Sequence, residues 1–297
     1  MNQTAAAGHP GHEGIIDVAS LRNLLGAREL RVIDCRHDLT QPDLGREQYR
    51  KAHIPGSVFA HLDEDLSGSK TGANGRHPLP DAEHLVMRLR AWGVDSSSLV
   101  VAYDASEGAF AARVWWLLRW LGHPRVAVLD GGWPAWVTAG GPTSAQEPAL
   151  PAGTFGRRPA LETAADIETV VKWSRSAAPA SPNLLLDARA SDRYEGRNET
   201  LDPVAGHIPG AVNRFWKQNL TPDGRFKPPA QLRLEYEALL AGRKPQHVIV
   251  QCGSGVIACH DLLAMHLAGL QGAALFAGSW SQWIADPSRP VRRGAAP

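Results

Sequence analysis

Short apolar runs and longer stretches of helical period alternate along this chain. RVIDC (31–35), LVVAY (99–103) and VAVL (126–129) in the first half, and LLLD (184–187), HVIVQ (247–251) and AALF (273–276) in the second, have the length and β-branched content of strands buried on both faces. Between them, DAEHLVMRLRAWG (81–93) and AFAARVWWLLRWLG (109–122) carry apolar residues at helical spacing. Buried strands alternating with helices predict an α/β fold built on a parallel sheet.

The pattern occurs twice. VIDCR (32–36) followed by AHIPGSV (52–58) is echoed by LLDAR (185–189) followed by GHIPGAV (206–212). LVVAYDAS (99–106) then matches VIVQCGSG (248–255), and VLDGGWPAW (128–136) matches LFAGSWSQW (275–283). Four landmarks in the same order predict a duplicated domain, with copies over residues 14–143 and 164–289. Residues 141–163, rich in Pro, Gly, Ala and Ser, lack apolar periodicity, so 144–163 reads as an extended linker, 1–13 as a disordered tail and 290–297 as a second tail.

Composition narrows the function classes. A chain of 297 residues that is 43% apolar is long enough for two cores, and a net charge of +1 without long runs of either sign gives no reason to expect nucleic acid or an anionic membrane as a partner. The first residues lack a basic, apolar leader, and no stretch approaches the roughly 18 apolar residues of a membrane span, so a cytoplasmic protein is expected. Three cysteines, Cys35, Cys252 and Cys259, argue against a disulfide framework. His9 and His12, without acidic or thiol companions, are given no metal-binding role.

Cys252 stands apart because of its surroundings. The strand HVIVQ ends at it, GSGVI turns, and Ala258, Leu262, Met265 and Leu267 mark a following helix. Gly253 and Gly255 permit a curved backbone whose N–H groups converge on the sulfur, and the helix start adds positive potential. Cysteines in such settings can ionise near or below neutral pH, which makes the sulfur a nucleophile. The segment alone is equally compatible with a buried structural thiol. The repeat weighs against that, because the matching position in the first copy is Asp104, so the fold does not require a thiol there.

Two copies of D-x-R then H-I-P-G, a degenerate first loop and CGSGV in the second resemble the tandem rhodanese family, in its 3-mercaptopyruvate sulfurtransferase branch, over residues 14–289. The resemblance implies two rhodanese-like domains, each a small parallel sheet flanked by helices, with a non-catalytic first domain, a catalytic second one, a site at their interface and no metal or organic cofactor. It implies that Cys252 accepts sulfur from a small-molecule donor as a persulfide, and that Ser254, His77 and Asp63 form a Ser-His-Asp relay that assists proton movement. It places Arg193 on the donor's anionic end, with the loop residues Gly253, Gly255, Val256 and Ile257 around it. The family's second substrate arginine has no counterpart in NETLDPVAGHIPG; Arg197 is the nearest substitute. Ile257 stands where the family usually has threonine.

The expected reaction is sulfur transfer from 3-mercaptopyruvate to a thiol acceptor, thioredoxin or another dithiol among the candidates, or to cyanide. Thiosulfate is the alternative donor, and a non-enzymatic persulfide carrier the alternative of another class. A Cys-x5-Arg phosphatase loop is not matched, since the residue at that spacing is Ala258. Asp34 with Arg36, Asp187 with Arg189, His53 and His207 occur in both copies and are assigned structural work; Cys35 and Cys259 are expected to be inert.

Overall fold

All six apolar runs form buried strands in the computed structural model, which describes residues 14–176 and 181–297. Five strands, β1 (Gly14–Ile16), β2 (Leu30–Asp34), β3 (Ser57–Phe59), β4 (Leu99–Tyr103) and β5 (Val126–Leu129), make one parallel sheet in the order β1-β5-β4-β2-β3. The second sheet repeats that order as β6-β10-β9-β7-β8, from β6 (Thr163–Ala164), β7 (Leu184–Asp187), β8 (Ala211–Asn213), β9 (Val248–Gln251) and β10 (Ala274–Leu275). Helices α1 (Val18–Leu24), α2 (Leu44–Lys51), α3 (Ala82–Ala91), α4 (Ala111–Trp120) and α5 (Gly132–Thr138) cover the first sheet. Helices α6 (Ile167–Arg175), α7 (Ser191–Tyr194), α8 (Pro229–Leu240), α9 (Ala258–Leu267) and α10 (Ser279–Trp283) cover the second. The tail with His9 and His12 lies outside the described residues.

Helices α4 and α9 are buried nearly all round, because each packs on its own sheet and against the other. One hydrophobic cluster therefore runs through both copies, from Leu89 and Trp116 to Leu232 and Val250. No helix among the described residues is long and apolar enough to cross a membrane.

The repeated polar residues close each sheet in the same way. Arg36 Nη2 meets Asp34 Oδ2 at 2.6 Å, and Arg189 Nη2 meets Asp187 Oδ2 at 2.6 Å, both pairs buried. His53 stacks on Tyr49 and His207 on Tyr194, with ring centroids 4.0 and 3.8 Å apart. Each His-Ile-Pro-Gly turn is then bridged by the chain that follows its copy: His53 pairs with Ser144, and His207 with Arg292. The chain thus continues its packing into the segments that composition marks as linker and tail. Phe155 is buried against the first copy, and the Ala296 carbonyl lies 3.2 Å from His207 Nε2.

Burial also sets a pH dependence. It holds the imidazoles of His77 and His260 down at about 3 and that of His266 at about 4, and pushes the Asp261 carboxyl up to about 7. These histidines stay neutral in the folded chain but titrate near 6.5 once unfolded, so below that pH the unfolded state binds three protons the folded state refuses. Asp261 opposes them, since the folded state holds its proton up to about 7 and the unfolded state releases it near 3.8. Burial raises the carboxyls of Asp104, Asp130, Glu162 and Asp202 as well, which act with Asp261, whereas His37, His123 and His207, shifted downward, and the lowered carboxyls of Asp63, Glu199 and Glu235 act with the three histidines. Stability should therefore fall as pH drops from 6.5 toward 4, read as a lower denaturant midpoint at pH 5 than at pH 7; a flat profile would contradict the neutral burial of these rings.

Candidate active site

In this strand order, β8 extends the sheet on one side of β7 and β9 starts the other, so the chains leaving β7 and β9 diverge and open a crevice at their carboxyl ends. Cys252 is the first residue after β9 and is 2% exposed. Its Sγ accepts a hydrogen bond from the Gly255 N–H at 3.2 Å. The loop is braced from behind: the Cys252 N–H donates to Ser279 Oγ, while the N–H groups of Trp280 and Ser281 donate to the carbonyls of Cys252 and Gly253. Gly255 has φ +76° and lies so close to the Ala277 carbonyl that a Cβ there would sit 2.2 Å from its oxygen, so only glycine closes this turn.

The first copy supplies the other half. His77, in the loop before α3, is buried, and its Nδ1 lies 2.8 Å from Ser254 Oγ; its Nε2 faces Asp63 Oδ1 at 3.6 Å. Because a carboxylate only accepts, the proton belongs on Nε2, which leaves Nδ1 to accept from the Ser254 hydroxyl. Burial lowers the His77 pKa to about 3 despite the Asp63 charge, so the ring is neutral. Burial works to raise the Asp63 carboxyl, but the hydrogen bond it accepts from Lys70 Nζ at 2.7 Å and the Lys70 charge hold it below the usual range.

A cation absent from the sequence expectation lies under the loop. Arg113 of α4 is fully buried and donates to the carbonyls of Gly255 at 3.1 Å and His77 at 3.2 Å, tying the two halves together. No carboxylate pairs with it among the described residues. Burial lowers its pKa, against the opposing influence of Cys259 and Cys252 beside it. It is the lone charged residue among Ala109–Leu118, the one signal that could have marked it. Cys259 points into this interior, where burial drives its pKa to about 12, and Cys35 is likewise buried and shifted upward.

A pocket of about 120 Å³ opens onto the loop and is lined by Gly253, Ser254, Val256 and Ile257 together with Arg193 and Arg76. Arg193 reaches it from α7 while ion-paired to Glu199 at 2.8 Å and Asp202 at 3.2 Å. Arg197 does not line the pocket: it is 65% exposed and paired with Glu195 at 2.6 Å, because the turn after α7 carries it to the outer surface. The expectation that it substitutes for a missing arginine is therefore corrected. Arg76, adjacent to His77, was not singled out in the sequence, yet it enters the pocket from the first copy.

The matching loop of the first copy is closed on itself. Asp104 accepts from the N–H groups of Ser106, Gly108, Phe110 and Ala111 at 2.7 to 2.9 Å, so its carboxylate fills the cradle that Cys252 occupies in the second copy.

A duplicated parallel α/β protein with one cysteine loop completed by groups from its partner copy is the class this fold and site define. A model of the rhodanese-like domain matches residues 17–139 and 171–286. A probable 3-mercaptopyruvate sulfurtransferase of Pseudomonas aeruginosa is 47% identical over 94% of this chain and 98% of its own. A putative thiosulfate sulfurtransferase of Mycobacterium tuberculosis is 38% identical over 95% and 98%. The structure of a 3-mercaptopyruvate sulfurtransferase from Leishmania major superposes with a TM-score of 0.79 at 28% identity, covering 96% of this chain and 77% of that one. The chain belongs to the rhodanese family, as a tandem-domain sulfurtransferase.

Proposed function

We propose that the chain moves sulfane sulfur from 3-mercaptopyruvate to a thiol through a persulfide on Cys252, releasing pyruvate. The observation that carries this reading is the line from Ser254 through His77 to Asp63 beside the Cys252 loop. The Cys252 thiolate attacks the donor sulfur, an S–S bond forms, and the C–S electron pair departs as the pyruvate enolate. The Ser254 hydroxyl gives its proton to that carbon and recovers one from the donor thiol, with neutral His77 holding the hydroxyl in line. An acceptor thiolate then takes the outer sulfur and restores Cys252; a dithiol protein such as thioredoxin is one candidate, and cyanide another.

Thiosulfate needs none of this relay, because sulfite leaves without protonation at carbon. Its use is the second reading, and two guanidinium groups near Gly253 are the feature that favours it. Comparing kcat/KM for the two donors tests the choice. A preference for 3-mercaptopyruvate that shrinks by about 10²-fold in Ser254→Ala is expected; a thiosulfate preference indifferent to Ser254 would reverse the assignment. Single-turnover discharge without repeated turnover would instead make the chain a persulfide carrier.

A further inference from the structure

Gly253 sits between two guanidinium groups from different copies. A Cβ on it would lie 2.9 Å from Arg76 Nη2 and 3.5 Å from Arg193 Nη2, with Asp202 Oδ2 at 3.7 Å. The atoms that crowd Gly253 are therefore two cations and one carboxylate, one residue from the nucleophile. Asp202 bridges them: its Oδ1 is ion-paired with Arg76 Nη1, and its Oδ2 with Arg193 Nη2 at 3.2 Å. Its side chain is 2% exposed, whereas that of Arg76 is 30% exposed.

Charge at this point is balanced without a ligand. Arg76 and Arg193 face Glu199 and Asp202, and Glu199 already takes Nε and Nη2 of Arg193 in a two-pronged contact. A donor carboxylate entering beside Cys252 would add an uncompensated negative charge unless one resident carboxylate left or was neutralised. Asp202 is the one suited to go. Its segment has no regular secondary structure, and its backbone N–H is held by Glu199 Oε1 at 3.1 Å. Burial, with Glu199 beside it, pushes its carboxyl up despite the guanidinium groups of Arg76, Arg193 and Arg189.

We propose that Arg76 of the first domain and Arg193 of the second form the clamp for the donor carboxylate, and that Asp202 is a resident carboxylate occupying this clamp until the donor displaces it. The second arginine absent from residues 198–210 is thus replaced across the domain interface. This rests on the carboxylate-bearing donor proposed above, and it makes Asp202 a determinant of donor affinity. A Cβ at residue 253 would have to push the Arg76 guanidinium aside.

The test is chosen to work without the sulfur donor. Iodoacetate and iodoacetamide differ in a carboxylate and a neutral amide, so the ratio of their alkylation rates at Cys252, read by peptide mass, reports a carboxylate site beside the thiol. Arg76→Met is expected to lower that ratio by roughly tenfold. Asp202→Asn keeps the shape but removes the competing charge, and should raise the ratio by at least about threefold. If Asp202 merely holds the two arginines in place, Asp202→Asn would lower the ratio or leave it alone, and either result overturns the proposal. A ratio unmoved by Arg76→Met would remove Arg76 from the clamp and overturn it equally. Should the wild-type protein release no pyruvate from 3-mercaptopyruvate, the proposed reaction fails, while the alkylation ratio still decides the clamp.

Discussion

Cys252→Ser protein should release pyruvate from 3-mercaptopyruvate at least about 10⁴-fold more slowly than wild type and gain no sulfur in its intact mass. The serine hydroxyl fits the space, and the Gly255 N–H that meets the sulfur at 3.2 Å remains to meet an oxygen, so the fold gives no reason for the loss. The chemistry does. A serine hydroxyl is scarcely ionised at neutral pH and is a poor nucleophile toward sulfur, so neither the S–S bond nor the enolate forms. Retained turnover would mean that the acceptor takes sulfur directly from the donor in the pocket, with the loop serving only to bind. Cys259 offers no substitute: it is buried in the domain interface with a pKa of about 12.

The second large effect is on stability and concerns the copy without the cysteine loop. Arg36→Met leaves the Asp34 carboxylate fully buried, with only the Tyr103 hydroxyl at 2.6 Å and the residue 36 backbone N–H at 3.0 Å as donors. Removing one partner of a buried ion pair costs about 3–5 kcal/mol because the remaining charge stays uncompensated. The Ala52 carbonyl also loses its donor at 2.7 Å. Urea unfolding should show that loss, and adding Asp34→Asn should recover part of it by removing the stranded charge. An unchanged midpoint would mean that water reaches Asp34 in the variant. Because one hydrophobic cluster spans both domains, the Cys252 loop should suffer with the first domain rather than survive it.

Much of this was legible because the chain repeats itself. Strand runs, Asp-x-Arg pairs and His-Ile-Pro-Gly turns recur at matching positions, and a feature seen twice separates what the fold needs from what chemistry needs. Asp104 opposite Cys252 is the clearest case. Ser254, His77 and Asp63 were named through the family resemblance, and the structure brings Ser254 and His77 to 2.8 Å. Arg113 and Arg76 were missed for a physical reason. An arginine in a Trp-rich helix reads as a surface residue, and its burial against a helix of the other copy is a long-range fact that no local pattern encodes. Arg197 was misread for the converse reason: proximity to Arg193 in sequence says nothing about the direction taken by the turn after α7.

The four N–H groups of the first loop are consumed by the Asp104 carboxylate, and that has a bearing on stoichiometry. Although the chain contains two matching loops, only the second carries a cysteine, so donor-treated protein is expected to gain one sulfur atom in its intact mass. A gain of two would mean that a thiol outside the Cys252 loop also takes sulfur.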